Sequence, residues 1–160
     1  MPELVVVCGH PRPASRTLRL ATAVGERIAK SRGDETFVTI DVAELGAGLL
    51  KPDDGATGEA LLDVQDAAML VVATPTYRGS YSGALKVLLD QLPPNALAGV
   101  VAVPVVTAET QPQADHAEAF LARLLRELGA DVVDFGLTAI GPELADPDGV
   151  AEQYTTAIIA

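Results

Sequence analysis

Apolar residues fall along this chain in two alternating textures, short unbroken runs and stripes spaced by three and four. Leu4-Val5-Val6-Val7-Cys8 is an unbroken run closed by Gly9, the pattern of a strand buried on both faces of a parallel sheet. From Arg16 to about Ser31, Leu20, Val24 and Ile28 recur every fourth residue and Gly33 supplies the stop, which predicts a helix. Thr36 to Val42 alternates weakly as a second strand. Residues 47–58 read as a loop, and Glu59 to Asp66 as a short helix. Met69 to Ala73 is a third, continuous strand. Leu85, Leu88, Leu89 and Leu92 form one helical stripe ended by Pro93-Pro94, and the same spacing returns at Leu121, Leu124, Leu125 and Leu128 before Gly129. Between them Val100 to Val106 is a fourth strand, in which Pro104 predicts a bend or a less central place. Asp131 to Ile140 completes five strands. Residues 148–160 form a short terminal helix that needs docking through Val150, Tyr154, Ile158 and Ile159.

Strands alternating with helices imply right-handed crossovers and a doubly wound parallel α/β sheet, whose ligands bind beyond the carboxyl ends of the strands. Three loops therefore carry the candidate chemistry: Gly9 to Thr17, Thr74 to Gly83 and Thr107 to Asp115. With 160 residues, 49% hydrophobic and 21% charged, the chain is expected to fold as one domain, 1–160. No apolar stretch approaches the ~20 residues that cross a bilayer, and no leader pattern is seen at Met1, so the expected location is cytoplasmic.

Net charge is −11, which argues against nucleic acid and anionic membrane as partners. The charge is uneven, however: residues 1–33 carry six basic and two acidic groups, a local +4, leaving −15 for the remainder. An anion near the first loop fits that asymmetry. The segment Gly9-His10-Pro11-Arg12-Pro13-Ala14-Ser15-Arg16-Thr17 joins a buried strand to a helix, so hydroxyls, backbone N–H groups and the positive helix end converge on one place, and a phosphate is the natural guest. Gly9 is its only glycine, which excludes both a P-loop and a G-x-G-x-x-G dinucleotide turn. A phosphotyrosine phosphatase cradle would need an arginine six residues after Cys8, where Ala14 stands; a phospho-acceptor receiver would need acids at Gly9-His10 and at Thr74-Pro75. Cys8 reads as a small core residue, and one cysteine with two histidines excludes a disulfide and a structural zinc site.

The block Val72-Ala73-Thr74-Pro75-Thr76-Tyr77-Arg78-Gly79-Ser80-Tyr81-Ser82-Gly83-Ala84-Leu85-Lys86, followed by Leu88-Leu89-Asp90, resembles the NADPH-dependent FMN reductase family, as does the first loop with its Arg12, Ser15 and Thr17. The resemblance runs from Leu4 to about Ile140 and is nearest to the alkanesulfonate-linked FMN reductases. It implies a flavodoxin-like five-stranded sheet of order 2-1-3-4-5 with helices on both faces. It also implies FMN with NADPH or NADH as cofactors, an NAD(P)H:FMN oxidoreductase passing electrons to free flavin, a quinone or another acceptor, and no catalytic side chain. By position, Arg12, Ser15 and Thr17, with His10 in place of the family's serine, would bind the FMN phosphate. Pro75, Thr76, Tyr77, Arg78 and Gly79 would lie along the isoalloxazine ring, with Thr107 beside them. A homodimer or homotetramer and a flavin-dependent monooxygenase partner are implied in the same way. The alternatives are a non-enzymatic flavodoxin-type electron carrier and an FMN-dependent dehydrogenase of a biosynthetic pathway. The family's Thr-Gly-Gly after the fourth strand is Thr107-Ala108-Glu109 here.

Overall fold

A computed structural model describes residues 3–34 and 36–159, the last by its backbone alone. Strands β1 (Leu4–Cys8), β2 (Val38–Asp41), β3 (Met69–Pro75), β4 (Val101–Ala108), β5 (Asp131–Val132) and β6 (Leu137–Ile140) form one parallel sheet of order β2-β1-β3-β4-β5, with β6 also on β4. The helices are α1 (Arg16–Arg32), α2 (Val42–Leu45), α3 (Gly55–Asp66), α4 (Gly83–Leu89), α5 (Gln111–Glu127) and α6 (Pro147–Ile159).

Two hydrophobic cores flank the sheet, and β1 feeds both. Val5 and Val7 point toward α3, α4 and α5, while Leu4 and Val6 point toward α1 and α6, so every residue of the strand is buried. A continuous apolar run is therefore required: a polar residue at any of the five positions would face one core or the other. α6 docks on α1 through Ala151, Tyr154, Val150 and Ile158; the docking expected of Ile159 falls outside the described side chains. The Tyr154 hydroxyl donates to the Phe135 carbonyl at 2.9 Å.

Several boundaries differ from expectation, β3 and β4 each running two residues further, to Pro75 and Ala108. The second strand is shorter, because the Asp41 side chain accepts from Ala43 N and starts α2 at Val42. α3 begins at Gly55, four residues early, because the Asp54 carboxylate accepts from both the N–H and the hydroxyl of Thr57. α4 ends at Leu89 rather than beside Pro93, although Leu92 stays buried. α5 begins at Gln111, so the loop after β4 is short.

The fifth strand is split into β5 and β6, and Pro104 explains why. β4 is neither bent away nor peripheral: it pairs with β3 over seven positions, including Val72 opposite Pro104. The carbonyls of Val100 and Ala102 accept from Asp131 and Val133, so Pro104, on the same alternation, turns its missing N–H toward the fifth position of the sheet. There β5 has ended and β6 has not begun. Gly136 crosses this gap so closely that a Cβ on it would meet the Pro104 carbonyl oxygen at 2.8 Å. The proline thus sits in the middle of the sheet, facing the gap between β5 and β6.

Candidate functional site

The carboxyl ends of β1, β3, β4 and β6 open into one cleft of about 920 Å³. It is lined by His10, Arg12, Ser15, Thr17, Pro75, Thr76, Tyr77, Arg78 and Thr107, nine of the expected site residues; Gly79 lies outside it. Arg16, Ala108 and Glu109 join them, as do Gln113, Gly141 and Leu144, which sequence reasoning missed. Gln113 is placed by the early start of α5. Gly141 and Leu144 arrive in the short turn after β6, so only the strand order could have revealed them.

The first loop leads straight into a helix end. Ser15 caps α1, its hydroxyl accepting from Leu18 N at 3.0 Å, and no acidic residue occupies the first turn to compete for the positive end. Gly9 owes its identity to packing: a Cβ there would meet Leu85 Cβ at 2.5 Å. His10 Nδ1 accepts from Arg12 N at 3.0 Å, which requires a neutral ring with its proton on Nε2, and the ring lies edge-on to Tyr77 with centroids 6.3 Å apart. Burial, then the Arg12 and Arg16 guanidinium groups, hold the His10 pKa below the ordinary histidine value against the opposing Asp41. The Cys8 thiol is fully buried, and that burial raises its pKa, so the thiol stays protonated and packs.

Numbered by the strands they follow, the loop after β3 is the third and that after β4 the fourth, and the third is braced from within. Ser82 donates to the Gly9 carbonyl at 2.6 Å and accepts from Leu85 N at 3.1 Å, while its own N–H donates to the Thr74 hydroxyl at 2.9 Å. Thr76 donates to the Thr107 carbonyl at 2.9 Å, tying this loop to the fourth. Tyr77 and Ser80 exchange two backbone hydrogen bonds around Arg78 (φ 54°) and Gly79 (φ 77°), the positive angles of a type I′ turn. The Tyr77 N–H is thereby occupied. Pro75 is buried, whereas Tyr77 is 43% exposed and presents its ring to the opening.

Thr17 and Thr107, both buried, share one hydrogen bond of 2.9 Å between their hydroxyls. Two hydroxyls carry two protons and that bond uses one, so one O–H is left to donate into the cleft. Glu109 stands exposed on the rim. Among the described residues no group of three or more His, Cys, Asp and Glu is placed to hold a metal ion, and no helix is long and apolar enough to cross a membrane.

A basic first loop at a helix end, a braced third loop with an exposed tyrosine and a free hydroxyl between them suit a ligand with a phosphate and a flat polar ring. The proteins that this chain resembles are named for FMN, a ligand of that kind. A family model for NADPH-dependent FMN reductase matches residues 2–142. An FMN reductase (NADPH) of Pseudomonas aeruginosa is 38% identical over 119 residues, covering 72% of this chain and 62% of that protein, so the chain spans less than two thirds of that relative's length. The NADH-dependent FMN reductase SfnE of Pseudomonas putida is 32% identical over 152 residues, covering 90% and 80%. Among solved structures, an apo NADH:FMN oxidoreductase superposes with a TM-score of 0.80 at 27% identity, covering 99% of this chain and 90% of that one. An archaeal flavodoxin, at 16% identity and a TM-score of 0.63 over 98% and 99% of the two chains, shares the fold.

Proposed function

This chain belongs to the NADPH-dependent FMN reductase family, and from that premise we propose that it is an NAD(P)H:FMN oxidoreductase whose flavin sits in the cleft at the ends of β1, β3 and β4. The observation that carries the reading is the donor set. Arg12 and Arg16 line the cleft beside the first turn of α1, which holds no acidic residue, and so gather positive charge there in a chain whose net charge is −11. A phosphate monoester fits that chemistry, and the residues present therefore fit FMN. Ser15 and whichever of Thr17 and Thr107 keeps a free O–H add neutral donors beside it.

Bound FMN would supply the redox chemistry, accepting a hydride from NADPH or NADH and releasing electrons to free flavin, a quinone or another acceptor. The chain's own residues position and exclude. Pro75, Thr76 and Tyr77 would present a surface to one side of the ring. The bonds of Thr74, Thr76 and Ser82 hold that surface fixed, so little reorganisation is needed when the ring arrives. No side-chain acid or base is required by a hydride transfer.

Three finer readings belong with this proposal. A cytoplasmic location fits the absence of a membrane-spanning helix among the described residues. A homodimer or homotetramer fits the exposure of Leu50, Leu62 and Phe120. A flavin-dependent monooxygenase is the acceptor's partner that the resemblance suggests. The deciding experiment mixes the purified protein with FMN, follows the flavin absorbance for binding, and then adds NADPH or NADH with and without an acceptor. Sustained dinucleotide oxidation supports the reductase. Flavin binding with no turnover of either dinucleotide would leave an electron carrier instead.

A further inference from the structure

Three guanidinium groups line the cleft, those of Arg12, Arg16 and Arg78, and none makes an ion pair among the described residues. Elsewhere Arg27, Arg32 and Arg123 each find a carboxylate. Arg12 and Arg16 stand on the first loop and the first turn of α1, beside the helix end proposed above to hold the flavin phosphate. Arg78 stands apart, on the third loop, at the first corner of the turn that Tyr77 and Ser80 close with two hydrogen bonds. The turn fixes its backbone at the rim and leaves the side chain exposed.

The charges decide what Arg78 is for. A phosphate monoester carries at most about two negative charges near neutrality, and Arg12, Arg16 and the helix end already answer them. Arg78 is surplus to the flavin phosphate. A nicotinamide dinucleotide approaching the exposed face of the ring brings a pyrophosphate, and in NADPH a further 2′-phosphate, into a molecule whose overall charge repels it. The position also costs something: φ of 54° is a left-handed angle that asparagine or glycine adopts more readily than arginine, so local folding gives no reason for this side chain.

We propose that Arg78 binds a phosphate of the incoming nicotinamide dinucleotide and governs dinucleotide affinity separately from flavin affinity; the inference rests on the reductase reading above. The test is a calorimetric titration of the FMN-loaded protein with the unreactive oxidised forms, NADP⁺ and NAD⁺, in wild type, Arg78→Asn and Arg78→Lys. Asparagine suits the left-handed angle, so the turn is kept while the charge is removed. Arg78→Asn is expected to weaken NADP⁺ by about tenfold or more, as loss of a charge-assisted hydrogen bond implies, with the FMN Kd changed by a much smaller factor and Arg78→Lys recovering most of the loss. A matching rise in KM for NADPH at constant kcat would agree. Weakening confined to NADP⁺ assigns Arg78 to the 2′-phosphate, and equal weakening of NAD⁺ assigns it to the pyrophosphate; both support the proposal. Unchanged dinucleotide affinity, or FMN weakened by the same factor, overturns it. A wild type that binds no FMN overturns the reductase reading and this inference together, an outcome read from the flavin titration alone.

Discussion

The first and third loops of the cleft are built on opposite principles. In the third, the hydroxyls of Thr74, Thr76 and Ser82 all donate inward, to Pro75, Thr107 and Gly9, and the backbone closes on itself between Tyr77 and Ser80. In the first, residues 11–14 are exposed, and one clasp, Arg12 N to His10 Nδ1, shapes the turn before the cap at Ser15. The more recognisable block of sequence is thus largely scaffold, its letters dictated by bonds within the fold and Arg78 the exception, while the less recognisable one holds Arg12 and Arg16, two of the three uncommitted charges. A motif can mark a site while supplying few of the groups that bind.

Removing the keystone of each loop should separate the two. Ser82→Ala leaves the Gly9 carbonyl and the Leu85 N–H without their partner in a fully packed place, and the expected loss is about 2–4 kcal/mol of stability. Ser15→Ala removes a partly exposed cap, worth about 1 kcal/mol. Urea unfolding of the two variants gives the comparison directly; a Ser82→Ala midpoint no lower than that of Ser15→Ala would mean that the third loop is no more braced than the first.

Arg12→Ala is expected to act in the opposite sense, on binding rather than on folding. Loss of a charge-assisted hydrogen bond of roughly 1.5–3 kcal/mol weakens FMN about tenfold or more, with the unfolding midpoint unmoved because the side chain is exposed. Fluorescence titration of FMN checks it, and an unchanged Kd would take Arg12 out of the phosphate site.

The clasp itself should respond to pH. His10 is harder to protonate in the fold than in the unfolded chain, so the folded state binds fewer protons over the interval below the ordinary histidine value. Stability is complete above that value and falls as pH drops toward the lowered one. His10→Asn should flatten the fall in unfolding midpoint between about pH 7 and pH 5, whereas a wild-type slope persisting in the variant would place the titration elsewhere.

What the sequence made legible follows the same division. Unbroken runs such as Leu4–Cys8 and Met69–Ala73 could only be strands between two cores, and their assignment to a parallel sheet follows from that pattern alone. The split after β5 could not be read, because it depends on where Pro104 turns its missing donor and on Gly136 passing within contact of it. Loop one could be read as a candidate anion site from its arginines and its helix. The inward bonding of Thr74 and Ser82 could not be, since a hydroxyl in a loop looks the same in sequence whether it faces a ligand, the carbonyl of the next residue, as Thr74 does, or one far back along the chain, as Ser82 does at Gly9. Gly141 and Leu144 reach the cleft only through the pairing of β6 with β4.

Glu109 is where the comparison predicts the smallest effect. It replaces a small residue of the family pattern on the fourth loop, and as the one carboxylate among the described cleft residues it opposes the three arginines. Were it enclosed, its charge would penalise both a negatively charged reduced flavin and the phosphates of the dinucleotide. It is exposed on the rim instead, where water and counterions reach it, and beyond a Debye length of about 8 Å at physiological ionic strength its field is largely screened. Glu109→Gln keeps the shape and removes the charge. The KM for NADPH should fall by about twofold at low salt and hardly at all near physiological salt, with the flavin potential nearly constant. A large rise in potential that survives added salt would show that the carboxylate turns inward when flavin binds, and the fourth loop would then belong with the adaptable first loop rather than with the braced third.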